Sequence, residues 1–135
     1  MRTAVSEFVN STTQTLAADA KVQFSNNTYP TDIYRYNADG SISILKPGVY
    51  EILANFTILA TAEGDVQISM LEGATVAPGS VVNASLAAIG DYANVSVMNI
   101  VRVNCAASGQ VANISFQTNA ATSLSDAIVI IKRVG

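Results

Sequence analysis

The chain has no histidine and a single cysteine among its 135 residues, and only 13% of those residues are charged. Each scarcity removes a class of function. Without histidine, Ser-His-Asp and Cys-His nucleophilic catalysis is excluded, as are the common histidine-containing zinc sites. One cysteine, Cys105, cannot form an intrachain disulfide. With no histidine to activate it, it reads as a small buried apolar side chain at a strand end rather than a reactive thiol. Seven Lys and Arg against ten Asp and Glu give a formal charge of −3, and Lys132-Arg133 is the only adjacent basic pair. A phosphate backbone needs clustered cations, so nucleic acid is not expected as a partner. The longest strongly apolar run, AIVII at residues 127–131, is far short of a membrane span. Arg2 is followed by Thr, Ser, Glu and Asn rather than by the apolar block of a secretory signal, so folding in the compartment of synthesis is expected. Neither Gly-rich phosphate motif is present, and there are no heptads, repeats or low-complexity tracts. TQTLAADA (13–20) is the best helical candidate and is short.

What remains is a chain that is half hydrophobic, which excludes disorder, and long enough for one domain spanning 1–135. Short alternating segments separated by turn residues predict an all-β sandwich or barrel. The predicted strands are TAVSEFV (3–9), KVQFS (21–25), DIYRYN (32–37), SISIL (41–45), VYEILANFTILAT (49–61) and DVQISMLE (65–72). SVVNASLAAI (80–89), ANVSVMNIVRVN (93–104), QVANISFQT (110–118) and DAIVIIKRV (126–134) complete the set. ADGS and AEGD supply glycine for positive φ, and KPG and APG pair a fixed proline φ with a following glycine.

Two strands are apolar on both faces. The long one shows Tyr50, Ile52, Ala54, Phe56, Ile58 and Ala60 on one side, and Glu51, Leu53, Asn55, Thr57 and Leu59 on the other. The last one sets Ile128 and Ile130 against Val129 and Ile131. An antiparallel sheet with one wet face alternates more cleanly. Leaving Leu53, Leu59, Val129 and Ile131 in water would forgo roughly 6–12 kcal/mol, comparable to the whole stability of a domain. A symmetric copy of the same chain is the simplest cover. The expected interface residues are Tyr50, Leu53, Asn55, Leu59, Val129 and Ile131. A one-residue register slip would exchange the two faces.

Polar candidates are weaker. Glu63 and Asp65 flank a glycine, which reads as a solvated turn rather than the spaced pair of a glycosidase. A calcium site on Glu63, Asp65 or Asp39 would have suitable oxygen ligands but lacks the dense Asp/Asn spacing of a dedicated loop. Neither a metal nor a cofactor is expected, and no catalytic residue is assigned. The six Asn-x-Ser/Thr triplets, at Asn10, Asn26, Asn55, Asn83, Asn94 and Asn113, read as the polar faces of strands. Tyr34 and Tyr36 share a face with Arg35 opposite; such a pair is either cross-strand packing or a platform for sugar rings.

The order of these elements resembles a known superfamily. GVYEI, TAEGDVQISMLEG, VAPGS, VSVMNIVRV, SGQVANISF and AIVIIKRVG follow one another as in the jelly roll of tumour necrosis factor and the complement-type globular heads. The bacterial and phage branch is the nearer likeness, typified by the C-terminal domain of the exosporium collagen-like glycoprotein and by head-fibre and decoration domains of tailed phages. In that superfamily a Gly-x-Tyr opens the central strand, as Gly48 and Tyr50 do here. The likeness covers residues 32–135, and residues 1–29 match it least: they supply first strands or a docking segment. It implies a two-sheet antiparallel jelly-roll sandwich of about ten strands, assembled as a homotrimer with the first and last strands in the inner sheet. The collagen-like repeats of the exosporium protein are absent. The function this implies is non-enzymatic: a structural protein of a bacteriophage virion surface, assembled in the bacterial cytoplasm, with capsid proteins as partners. The alternatives are a receptor- or glycan-binding knob that takes a host-surface glycan, and a spore-surface structural protein. No membrane partner is implied.

Overall fold

The computed structural model describes residues 5–27, 33–61, 63–103 and 112–135; Cys105 lies outside them. Twelve strands are formed among these residues: β1 (Val5–Asn10), β2 (Gln14–Leu16), β3 (Asn26–Asn27), β4 (Tyr34–Tyr36), β5 (Ile42–Ile44), β6 (Gly48–Leu59), β7 (Gly64–Glu72), β8 (Thr75–Val76), β9 (Val82–Leu86), β10 (Tyr92–Val103), β11 (Ala112–Thr118) and β12 (Thr122–Arg133). They make two sheets. The inner sheet runs β10-β6-β12-β1-β3, with β2 pairing the start of β12; the outer runs β4-β5-β11-β7-β8, with β9 on β7. Every pairing between these strands is antiparallel. This is the expected jelly-roll sandwich, with β1 paired to β12 inside the inner sheet.

Two local expectations are corrected. The helical candidate at 13–20 contains β2 instead, whose Thr15 hydroxyl lies 3.2 Å from that of Ser123 across the strand pair. Residues 21–25 make only an isolated bridge, Lys21 to Gln117. Their amides are taken elsewhere: Val22 N–H donates to Phe116 O, and Phe24 N–H to the Tyr36 hydroxyl. Of the ten expected strands the one at 21–25 is lost and the short β2, β3 and β8 are added, which gives the twelve.

The core lies between the sheets. Tyr50, Ile52, Ala54, Phe56 and Ile58 of β6 point inward with Ala127, Val129 and Ile131 of β12, toward Ile114 and Phe116 of β11 and Ile68 and Met70 of β7. Aromatic pairs join the layers: Phe56 with Phe116 at 5.3 Å, Tyr34 with Tyr50 at 5.9 Å, and Phe8 with Tyr36 at 6.2 Å between ring centroids.

The Gly-x-Tyr opening of β6 has a physical reason. The Tyr50 hydroxyl donates to Lys46 O at 2.7 Å, closing the Lys46-Pro47-Gly48 bend from inside the core. A Cβ on Gly48, at φ +153°, would lie 2.7 Å from Arg133 Nε and 2.9 Å from Gly135 O. Val134 N–H also donates to Val49 O, so the end of the chain is held against this bend. Gly48→Ala should therefore destabilise the fold by about 1–3 kcal/mol, in the range of backbone strain at a special conformation. Chemical denaturation measures it; a loss under half a kcal/mol would mean that the bend relaxes freely.

Candidate functional site

The outward face of the inner sheet is built by the residues that alternate with the core set. Cross-strand partners share a face, so the register fixes its rows. Ile100, Glu51, Lys132 and Val5 form one row, and Met98, Leu53, Ile130 and Glu7 the next. Ser96, Asn55, Ile128 and Val9 follow, then Asn94, Thr57 and Asp126, and at the far end Tyr92 opposes Leu59. Large apolar side chains stand in solvent here: Met98 is 68% exposed, Tyr92 66%, Ile100 63% and Leu53 38%. With three strands 12 residues long and β1 six, about 3.3 Å per residue and 4.8 Å between strands, the four-strand face is on the order of 650 Å². Its apolar side chains cluster around Met98, Leu53, Ile130 and Ile100, and the polar row of Asn94, Thr57 and Asp126 separates them from Tyr92 and Leu59.

The expected interface residues divide between the two faces. Leu53, Asn55 and Leu59 lie on the outward face, and Leu53 and Asn55 are exposed. Tyr50, Val129 and Ile131 do not: all three are fully buried in the sandwich. The reason is register. Val129 pairs with Ala54 and Ile131 with Ile52, both inward residues, so Ile128 and Ile130 take the outward positions beside Asn55 and Leu53. Val129 and Ile131 are thus covered by this chain's own second sheet. The unsatisfied apolar surface belongs instead to Leu53, Ile128, Ile130, Met98 and Ile100. The β10 contribution was missed because Tyr92, Asn94, Ser96, Met98, Ile100 and Arg102 share one face, and their mixed polarity hides it. The signal available was the placement of Met98 and Ile100 opposite a row of valines.

Two shallow depressions meet on this face at Met98. One, about 420 Å³, is floored by Leu53, Asn55, Ser96, Met98, Ile128 and Ile130. The other, about 470 Å³, lies at the sheet edge among Glu51, Pro78, Gly79, Met98, Asn99 and Ile100. Asn99 joins the edge strand to its neighbouring loop: its Nδ2 donates to Pro78 O at 3.0 Å, and its Oδ1 accepts from Ile100 N–H at 2.8 Å. One amide thus blunts part of an edge that would otherwise offer unpaired backbone groups.

The other candidates do not assemble into sites. Tyr34 is buried edge-on against Tyr50, so it is no sugar platform. Tyr36 packs on Phe8 and Phe24, and its hydroxyl accepts from Phe24 N–H and donates to Gln23 Oε1. Burial pushes the Tyr34 phenol well above its ordinary pKa, and that of Tyr50 upward too. Asp39 accepts from the hydroxyl and amide of Ser41, which, with Lys21 alongside, hold its carboxyl down to about 2. Asp65 instead accepts from Ser85. Among the described residues no three His, Cys, Asp or Glu side chains gather. Gly73 to Val76 face solvent, whereas Ala77 and Ser80 are buried, the latter hydroxyl bonded to Ala77 O and to the Met70 backbone.

No protein-family profile and no curated protein matches the sequence. Solved structures do. Eiger TNF from S. frugiperda superposes with a TM-score of 0.77 at 11% identity, over 98% of this chain and 93% of that one. The globular domain of zebrafish complement 1qA gives 0.67 at 13% identity, over 97% of both chains. The PRD1 vertex protein P5 gives 0.59 at 17% identity, over 97% of this chain and 96% of that one. At these identities the likeness is one of fold: the chain is a jelly roll of the type found in TNF and complement globular domains.

Proposed function

We propose that this chain is a non-enzymatic, homotrimeric structural protein of a bacteriophage virion surface, a head fibre or capsid decoration assembled in the bacterial cytoplasm. The observation that carries the assembly is the exposed apolar face of β10, β6, β12 and β1. At about 650 Å² of sheet, it approaches the roughly 800 Å² per partner of a stable interface. A ring of like chains offers the same chemistry to itself: apolar rows, with Glu51 and Lys132 supplying both charge signs at one end. Likeness in fold to a phage vertex protein favours the virion over a spore surface. Its capsid partners would meet surfaces that the ring leaves outside. A receptor- or glycan-binding knob is favoured by one feature, the exposed Ile89 and Tyr92 at the β9–β10 turn. Resemblance to the exosporium domain remains part of the same reading.

Sedimentation equilibrium should give about three times 14.1 kDa, with no monomer at micromolar concentration. A clean monomer would sink the assembly. Immunogold labelling of phage particles and spores from cells that make the chain separates the two locations. Saturable binding on a glycan array, lost on replacing Tyr92 and Ile89, would favour the knob instead.

A further inference from the structure

Two Asn-x-Ser/Thr triplets lie side by side on the outward face, Asn55-Phe56-Thr57 in β6 and Asn94-Val95-Ser96 in β10. The strands are antiparallel, and the register sets Asn55 opposite Ser96 and Thr57 opposite Asn94. Each pair is hydrogen-bonded: Asn55 Nδ2 donates to Ser96 Oγ at 2.8 Å, and Thr57 Oγ1 donates to Asn94 Oδ1 at 2.7 Å. The middle residues, Phe56 and Val95, point into the core and anchor the quartet. Along both strands the quartet interrupts an apolar stripe, with Leu53 and Met98 on one side and Leu59 and Tyr92 on the other.

These bonds leave capacity unused. Asn55 keeps its carbonyl and one N–H, and Asn94 keeps both N–H groups, so donors and acceptors remain together on the exposed face. A neighbour that covers this face with apolar side chains would strip those groups of water and leave them unpaired. A neighbour that brings its own quartet there can pair them, because the set contains both donors and acceptors. Sliding by one side-chain step along the strands would lay Asn55 against the apolar rows. A buried asparagine in a coiled-coil seam acts in the same way, costing stability and fixing register and copy number.

Resting on the self-association reading, we infer that Asn55, Thr57, Asn94 and Ser96 determine the register and copy number of the assembly by pairing with the same residues of neighbouring copies. The test replaces all four with valine, which keeps β propensity and leaves the core untouched. Sedimentation velocity and native mass spectrometry should then show an associated chain split into at least two assemblies, where the wild type gives one. Exchanging the partners, Asn55→Ser with Ser96→Asn, keeps the polar row and should keep a single species. A four-valine variant that remains one species of wild-type mass overturns the inference and leaves the trimer standing. A split in the exchange variant overturns it too, and a monomeric wild type overturns both readings. Should the four-valine chain precipitate, Thr57→Val alone serves, being isosteric and lacking only the hydroxyl. It should add a second sedimenting species, and a single species would count against the inference.

Discussion

Ile130→Asp should leave the chain folded and break its assembly, whereas Ile131→Asp, one position along β12, should unfold it. Ile131 is fully buried, paired with Ile52 on the core face. A carboxylate there loses about 1.5–3 kcal/mol of apolar burial. It must also be desolvated without a partner or be protonated, a further cost of several kcal/mol. Domains of this size hold about 5–15 kcal/mol in total, so the fold should not survive. Ile130 is half-buried on the outward face beside Leu53. In a lone chain its aspartate would reach water at little cost, but in a packed ring it would place a charge in a desolvated interface. Circular dichroism with sedimentation velocity reads both. A folded Ile131→Asp chain would show that the register of β12 is misassigned, and a trimeric Ile130→Asp chain that this row lies outside the interface.

These neighbouring isoleucines also mark where the sequence stops being legible. The longer strands of both sheets could be read closely because turns and alternation bracket them: β7 was expected at 65–72 and spans Gly64–Glu72, and β10 was expected at 93–104 and spans Tyr92–Val103. The identity of the outward face of β12 could not be read, because Ile128, Val129, Ile130 and Ile131 are interchangeable in period-2 reasoning. What decides it is pairing with β6, together with a register shift between Leu124 and Asp126 that no local pattern announces. Tyr50 shows a different failure. It was expected at the interface although it alternates in step with Ile52, Ala54 and Phe56, and its hydroxyl closes the Lys46 bend from within the core. Residues 21–25 alternate well enough to be a strand, but their amides are claimed by Phe116 and Tyr36, a tertiary competition invisible to propensity.

The polar triplets changed meaning for a related reason. Singly, Asn55-x-Thr57 and Asn94-x-Ser96 are polar positions on a strand face. Only the antiparallel register turns them into one hydrogen-bonded row across an apolar surface. The sequence could show that the second face of β6 mixes Leu53 and Leu59 with polar residues. It could not show that β10 repeats the same mixture in phase.

Phe56→Ala should cost about 3–5 kcal/mol, the range for an aromatic side chain removed from a packed core. Phe56 is fully buried, and its ring meets that of Phe116 at 5.3 Å, so it joins the two sheets directly. Its neighbours in the sheet are Ala127 and Val95. These side chains are too short to close the space, so the cavity should persist rather than collapse. The variant also tests assembly, since association stabilises the folded chain by mass action. A weakened protomer held in a trimer should melt at a temperature that rises with protein concentration. Adding Ile130→Asp should abolish that dependence and lower the midpoint further. A loss under about 1 kcal/mol for Phe56→Ala would mean that the sheets are not held together at this contact. A concentration-independent midpoint would mean that the outward face contributes nothing to stability.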